Sequence, residues 1–243
     1  HVYSEVKGIE AVRNPLPAFG GTDPEPIEMV RIYAPQAFRI QERAVTEEDY
    51  ARLAERHPEV QRAMATIRWT GSWHTVFITV DRKGNRPVDM DFERELTSFM
   101  ERFRLAGMDV EIEGPSFVPL DIRLTICADG DHFRSNVLKD LYQAFSNRDL
   151  FGGERGFFHP DNFTFGDPVY LSRIIARAME VPGVRYVDAD EQNGNRFQRW
   201  DRCSAGQSEE GVIRMDRLEI ARLDNDPSMP ENGRIEFNVE GGL

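Results

Sequence analysis

The sequence predicts an α+β protein: two small mixed α/β units in tandem, 36–114 and 115–243, preceded by an extended Pro/Gly-rich tether in 1–35. Three observations point there. Hydrophobic periodicity switches repeatedly between the helical i, i+3, i+4 spacing and strict alternation, and strands neighbour strands as often as helices, which disfavours a doubly wound parallel sheet. Gly/Pro breaks fall at 14–26 and at Gly114-Pro115. The order helix, Pro-Glu-Val, strand at 46–69 is echoed by helix, Pro-Gly-Val, strand at 167–190, a likeness of architecture without a sequence repeat. A chain of 243 residues suits one large or two small domains at about 150 residues each.

Residues 1–12 read as the last strand of something preceding. The stretch 13–26 contains Pro15, Pro17, Pro24 and Pro26 with Gly20-Gly21, and this composition gives a stiff, extended tether. Ile27 to Ala34 reads as a short helix stopped by Pro35. Thr46 and Asp49 have capping-box spacing, and Tyr50, Leu53, Ala54 and His57 share one helical face before Pro58. Strands at about 60–69 and 73–80 flank Thr70-Gly71-Ser72, a hairpin turn. From Asp89, the stripe Phe92, Leu96, Phe99, Met100 and Phe103 marks a second helix with Gly107 as its stop, and a third strand runs from Met108 to Glu113.

After Gly114-Pro115, Leu120, Ile122, Leu124 and Ile126 alternate with Asp121, Arg123, Thr125 and Cys127, the pattern of a half-buried strand. A helix at about 132–145 turns Val137, Leu138, Leu141 and Phe145 inward. Asp167-Pro168 reads as an N-cap and N1 pair opening a helix with the stripe Leu171, Ile174, Ile175 and Ala178. A strand follows from Val184 to about Asp190, and strand-like runs at about 212–223 and 234–239 end the chain.

Charge narrows the function. Thirty Lys+Arg against 42 Asp+Glu give a net −12, which disfavours nucleic acid and anionic membrane surfaces as partners. No apolar run approaches the ~18 residues of a membrane span. Two cysteines, Cys127 and Cys203, are too few for a disulfide framework or a Cys-rich zinc site. The chain opens His-Val-Tyr-Ser without Met or a signal-peptide pattern, as expected of part of a longer or processed chain.

Candidate chemistry is sparse. No H-x-x-x-H, H-E-x-x-H, G-x-S-x-G or Walker spacing occurs. Asp129-Gly130-Asp131-His132 invites a metal, but an EF-hand loop needs a closing Glu where Asp140 stands, so a strand-to-helix turn capped by Asp explains it. The acid pairs Asp89/Asp91, Asp188/Asp190/Glu191 and Asp224/Asp226 could serve a hydrolase only if held about 5–10 Å apart across a cleft. The expectation is a protein that is not an enzyme, with no catalytic residue, cofactor, metal or small-molecule ligand. The alternative is a carbohydrate-active hydrolytic domain of a tail-like particle using one of these acid pairs.

Several blocks resemble a known family. Asn14-Pro15-Leu16-Pro17-Ala18 with Gly20-Gly21-Thr22-Asp23-Pro24-Glu25, then Arg43-Ala44-Val45-Thr46 with Asp49-Tyr50, resemble the baseplate J-like proteins of contractile phage tails. The end, Arg222-Leu223-Asp224-Asn225-Asp226-Pro227 with Pro230-Glu231-Asn232-Gly233, is similar to baseplate assembly proteins of extracellular contractile injection systems. The resemblance implies a structural wedge subunit, here the C-terminal part of a longer one. It implies pairing with a second copy or a related wedge subunit, in a ring around hub and tube beside sheath-proximal baseplate proteins. It places that ring in a particle assembled in the bacterial cytoplasm.

Interface residues are expected in two long loops, 146–166 and 191–211, because irregular segments of that length in compact domains are usually functional or disordered. The first holds Phe151, Phe157, Phe158, Phe163 and Phe165, of which Phe163 and Phe165 are expected to fold back on the core. The second holds Arg196, Phe197, Arg199, Trp200 and Arg202, types enriched at interface hot spots. The expected contact set is Phe151, Phe157, Phe158, Arg196, Phe197, Arg199, Trp200 and Arg202.

Overall fold

Thr46 begins the first long helix, α1 (Glu47–Ala54), through the reciprocal cap its sequence specifies. The Asp49 N–H donates to Thr46 Oγ1 at 3.2 Å, and the Thr46 N–H donates to Asp49 Oδ2 at 3.0 Å. These bonds satisfy amides that have no helical partner and hold the Asp49 carboxyl below its usual pKa. The computed structural model describes residues 26–31, 43–151, 153–200 and 210–243. The chain divides into two units at Glu42/Arg43. In the first, 27–31 is helical and agrees with the start of the expected 27–34 helix; the tether at 13–25 lies outside the described residues.

The second unit contains two hydrophobic cores. The first lies on a three-stranded sheet in the order β1 (Val60–Trp69), β2 (His74–Arg82), β3 (Asp109–Glu113); β1 and β2 form an antiparallel hairpin and β3 runs parallel to β2. Between β2 and β3 comes α2 (Met90–Met100), whose Asp89 N-cap accepts from the Phe92 N–H at 2.8 Å. Its Phe92, Leu96 and Met100 meet Val76, Ile78 and Val80 of β2 and Tyr50 and Leu53 of α1 in one cluster. The outer edge of β1 is blunted by α1: Glu55 accepts from the Ala63 N–H and Glu47 from the Ile67 N–H. An unpaired strand edge would otherwise template association with another chain.

The second core is organised by β4 (Ser116–Ala128). It pairs in parallel with β9 (Glu219–Arg222) and β10 (Arg234–Gly241), and antiparallel with β6 (Val184–Asp188) and β7 (Arg196–Arg199). Leu120, Ile122, Leu124 and Ile126 are fully buried in one cluster with Val137 and Leu141 of α3 (Arg134–Ala144) and Ile174 and Ala178 of α4 (Leu171–Met179). A short ladder of β5 (Val169–Tyr170) and β8 (Val212–Ile213) stands apart from the β4 sheet.

Four expectations need correction. Asp167-Pro168 does not open α4: Val169 is buried and paired with Ile213, so the chain stays extended and the helix starts at Leu171. Asp167 instead accepts from the Thr164 N–H. The strand expected at 212–223 is two short ones, β8 and β9. Neither Asp129 nor Asp131 caps α3, whose N-cap is Phe133 without a side-chain bond. The 191–211 loop is not wholly irregular, since Arg196-Phe197-Gln198-Arg199 is a strand of the main sheet.

The 146–166 loop is largely a core plug. Phe145, Phe157, Phe158 and Phe163 form successive ring contacts at 4.9–6.3 Å, with Phe158 and Phe163 stacked. Gly156 sits where a Cβ would meet the Ser146 carbonyl oxygen at 2.1 Å, so only glycine lets the loop return this closely. We expect Phe158→Ala to lower unfolding free energy by about 3–5 kcal/mol in urea titration. Phe151→Ala, at a fully exposed ring, should change it by less than about 0.5 kcal/mol.

Candidate interaction surface

Strand pleating sends every second residue of β4 to the face opposite the core, and there the chain has placed charge. Asp121, buried, accepts from Arg234 Nε at 2.9 Å and from Gln198 Nε2 at 3.4 Å, with Arg196 Nε 3.4 Å away. Glu236 on β10 accepts from Arg123, opposite it in register, and lies 3.6 Å from Arg196. The Arg234 guanidinium lies 5.0 Å from the centre of the Trp200 ring, whose backbone N–H is bound by the Pro119 carbonyl. Beside this network a polar pocket of about 370 Å³ is lined by Arg123, Thr125, Asn193, Asn195, Glu236 and Asn238, among others.

The expected contact residues are therefore scattered by role. Phe158 and Phe197 are 4% and 1% exposed and belong to the core; their burial leaves them no surface to offer, which corrects their place in the contact set. Phe157 is half-buried against the same cluster. Arg196 and Arg199 have carboxylate partners within the chain, Arg199 pairing with Glu219 at 2.6 Å. Trp200 is half-buried under Arg234, Phe151 is fully exposed, and Arg202 lies outside the described residues.

Sequence reasoning missed a second aromatic feature. Trp69 and Trp73 flank the β1–β2 turn, at 61% and 53% exposure, with the His74 ring edge-on to Trp69 at 5.1 Å. The signal was present: two tryptophans bracketing Thr70-Gly71-Ser72 in a hairpin cannot both turn inward at its tip. Gly71 takes the turn at φ +107, a backbone region side chains disfavour.

The acid pairs have local structural partners. Asp89 caps α2 and binds Arg82; Asp91 pairs with Arg94 at 2.9 Å. Asp188 accepts from the Asp190 N–H and from Asn193, Asp224 pairs with Arg222, and Asp226 accepts from the Ser228 N–H. Donor atoms of Asp129, Asp131 and His132 lie within 4.8 Å of one another. Asp131 bonds the His132 ring at 2.8 Å, which lowers its pKa, and a Cβ on Gly183 would meet that ring at 2.7 Å. His57, buried at the end of α1, bonds Glu95 and packs edge-on to Phe92 and Phe99.

The geometry defines an α+β body of two cores with a paired charged sheet face and an aromatic hairpin tip. Residues 42–113, spanning the first core, match the family model of the Baseplate J-like central domain. The Arg43-Ala44-Val45-Thr46…Asp49-Tyr50 block falls inside this match, while the blocks at 14–25 and 222–233 fall outside it. The chain is also similar to one in the cryo-EM structure of the anti-feeding prophage (AFP) baseplate, 6-fold symmetrised, at 13% identity and a TM-score of 0.48. That likeness covers 85% of this chain and 43% of the other, so this chain spans less than half of that relative. No curated protein matches the chain.

Asp121 is the buried hinge of the charged face. We expect Asp121→Ala to cost about 1–3 kcal/mol in urea titration, because Arg234 and Arg196 lose their shared carboxylate but keep Glu236 nearby.

Proposed function

We propose that this chain is a structural wedge subunit in the baseplate of a contractile, phage-tail-like injection machine. It pairs with a second copy or a related wedge subunit and acts by contact rather than catalysis. The observation that carries the reading is the Baseplate J-like central domain at 42–113. The acids that a hydrolase would need have structural partners nearby, as described above, which further supports contact as the mode of action.

The contact residues in this reading are Trp69 and Trp73 at the hairpin tip and Phe151 on the first long loop, with Trp200 at the margin of the charged face. Exposed tryptophans fit the residue types that dominate binding energy at protein interfaces. Between chains of net charge −12, such apolar anchors also supply attraction that long-range electrostatics does not. The test is capture of neighbouring baseplate subunits by tagged full-length protein. Wild type should recover them, and a folded Trp69→Ala/Trp73→Ala variant should lose at least about tenfold, the effect of losing roughly 1.4 kcal/mol of binding. Undiminished capture by that variant would remove the tip from the interface; no capture by wild type would contradict the baseplate reading itself.

A further inference from the structure

The outer face of the β1–β2–β3 sheet is closed to water at three positions along its central strand. On β2, Thr75, Thr79 and Asp81 share the face opposite the first core, and all three are buried. Segments that belong with the second core bind here. Arg217 donates to Thr66 Oγ1, Gln61 Nε2 donates to the Asp161 carbonyl at 3.3 Å, and the Gly84 N–H donates to Asp161 Oδ1 at 2.8 Å. Asp161 is thus the residue through which the 160–162 turn is held to the 83–85 turn.

Asp81 lies on β2 three residues before Gly84, on the covered face. It is 1% exposed, and neither carboxylate oxygen has a hydrogen-bond partner. A buried polar group without a partner is rare in a folded protein, and a buried unpaired charge is costlier still. The charged and titratable groups around it are otherwise occupied. Arg62, opposite it on β1, pairs with Glu55 at 3.9 Å; Arg82 points to Glu59, Asp89 and the Phe92 ring; Lys83 donates to the Pro58 carbonyl. From the second core, Arg155 pairs with Asp161 at 3.1 Å, and His159 accepts the Asp161 N–H and faces Asp149 at 3.5 Å. The group that repels Asp81 is Asp161 itself.

We propose that Asp81 and Asp161 form a proton-dependent latch between the two cores, closed while Asp81 carries a proton and loosened when both carboxylates are charged. Burial, followed by the charge of Asp161, pushes the Asp81 pKa up from 3.8 to about 7. A folded-state pKa raised above the unfolded value gives a stabilisation that is complete below pH 3.8. It is lost as pH climbs toward about 7, and the closing constant falls about tenfold per pH unit across that window. The inference does not depend on the baseplate reading, because it concerns only how the two parts of the body hold together.

The test is amide hydrogen exchange of the full chain at 83–85 and 160–162, in wild type and Asp81→Asn, at pH 5, 6, 7 and 8. The ratio of wild-type to variant protection cancels the intrinsic pH dependence of exchange and the contributions of the surrounding groups. It should fall about a hundredfold from pH 5 to pH 7 and then level off. Asp161→Asn keeps a carbonyl oxygen for Gly84 and removes the repelling charge, so in that variant the loss should shrink even if Asp81→Asn does not fold. A wild-type ratio independent of pH, or an Asp161→Asn profile identical to wild type, would overturn the latch. So would full recovery of protection at pH 8 on adding millimolar calcium chloride, which would make the two carboxylates a cation site instead.

Discussion

Four strands hydrogen-bond to β4, two running parallel to it and two antiparallel, and this single thirteen-residue strand sets the register of β6, β7, β9 and β10. β6 and β7 follow each other along it, opposite 125–128 and then 120–123. β9 and β10 do the same in the parallel sense, opposite 116–119 and then 121–128. Because side chains alternate, a slip of one residue would carry Leu120, Ile122, Leu124 and Ile126 into the charged network and Asp121 into the core. The apolar and charged faces therefore enforce the same register twice. Gly233, where a Cβ would lie 2.5 Å from the Arg222 carbonyl oxygen, lets the chain return to β4 after its excursion at 224–232.

How much was legible follows from where the information sits. The α1 cap, the Asp89 cap, the Thr70–Ser72 turn and the alternation of β4 are local patterns, and each is found where the residues place it. β7 was not legible, because four residues flanked by Asn, Gly and a further polar stretch look like loop until Ile122 is found opposite Phe197. The phenylalanine loop misled for a related reason. Its length suggested a contact surface, but the rings of Phe157 and Phe158 have a partner in Phe145 that only the folded chain brings near, while Phe163 packs in the core as expected. Asp81 lies just past the strand expected at about 73–80, and the Asp161 turn that binds beside it at Gly84 is eighty residues away in sequence.

The arginines of the second loop illustrate how charge is used in an acidic chain. Arg196, Arg199 and Arg234 each find a carboxylate within the fold, and Arg82, nearly buried, is held by Glu59, Asp89 and the Pro87 carbonyl over the face of Phe92. These four cations thus serve internal order, while the exposed large side chains include the aromatic Trp69, Trp73 and Phe151.

The proposal that this chain is a baseplate component, which rests on the match of 42–113 to the Baseplate J-like central domain, is tested most directly by a cryo-EM map of the intact particle. The account predicts density for the body at 43–243 within the baseplate, repeated around the particle axis, with the Trp69/Trp73 tip buried against a neighbouring subunit. Density for the chain elsewhere in the particle, or none in a complete baseplate, would contradict it.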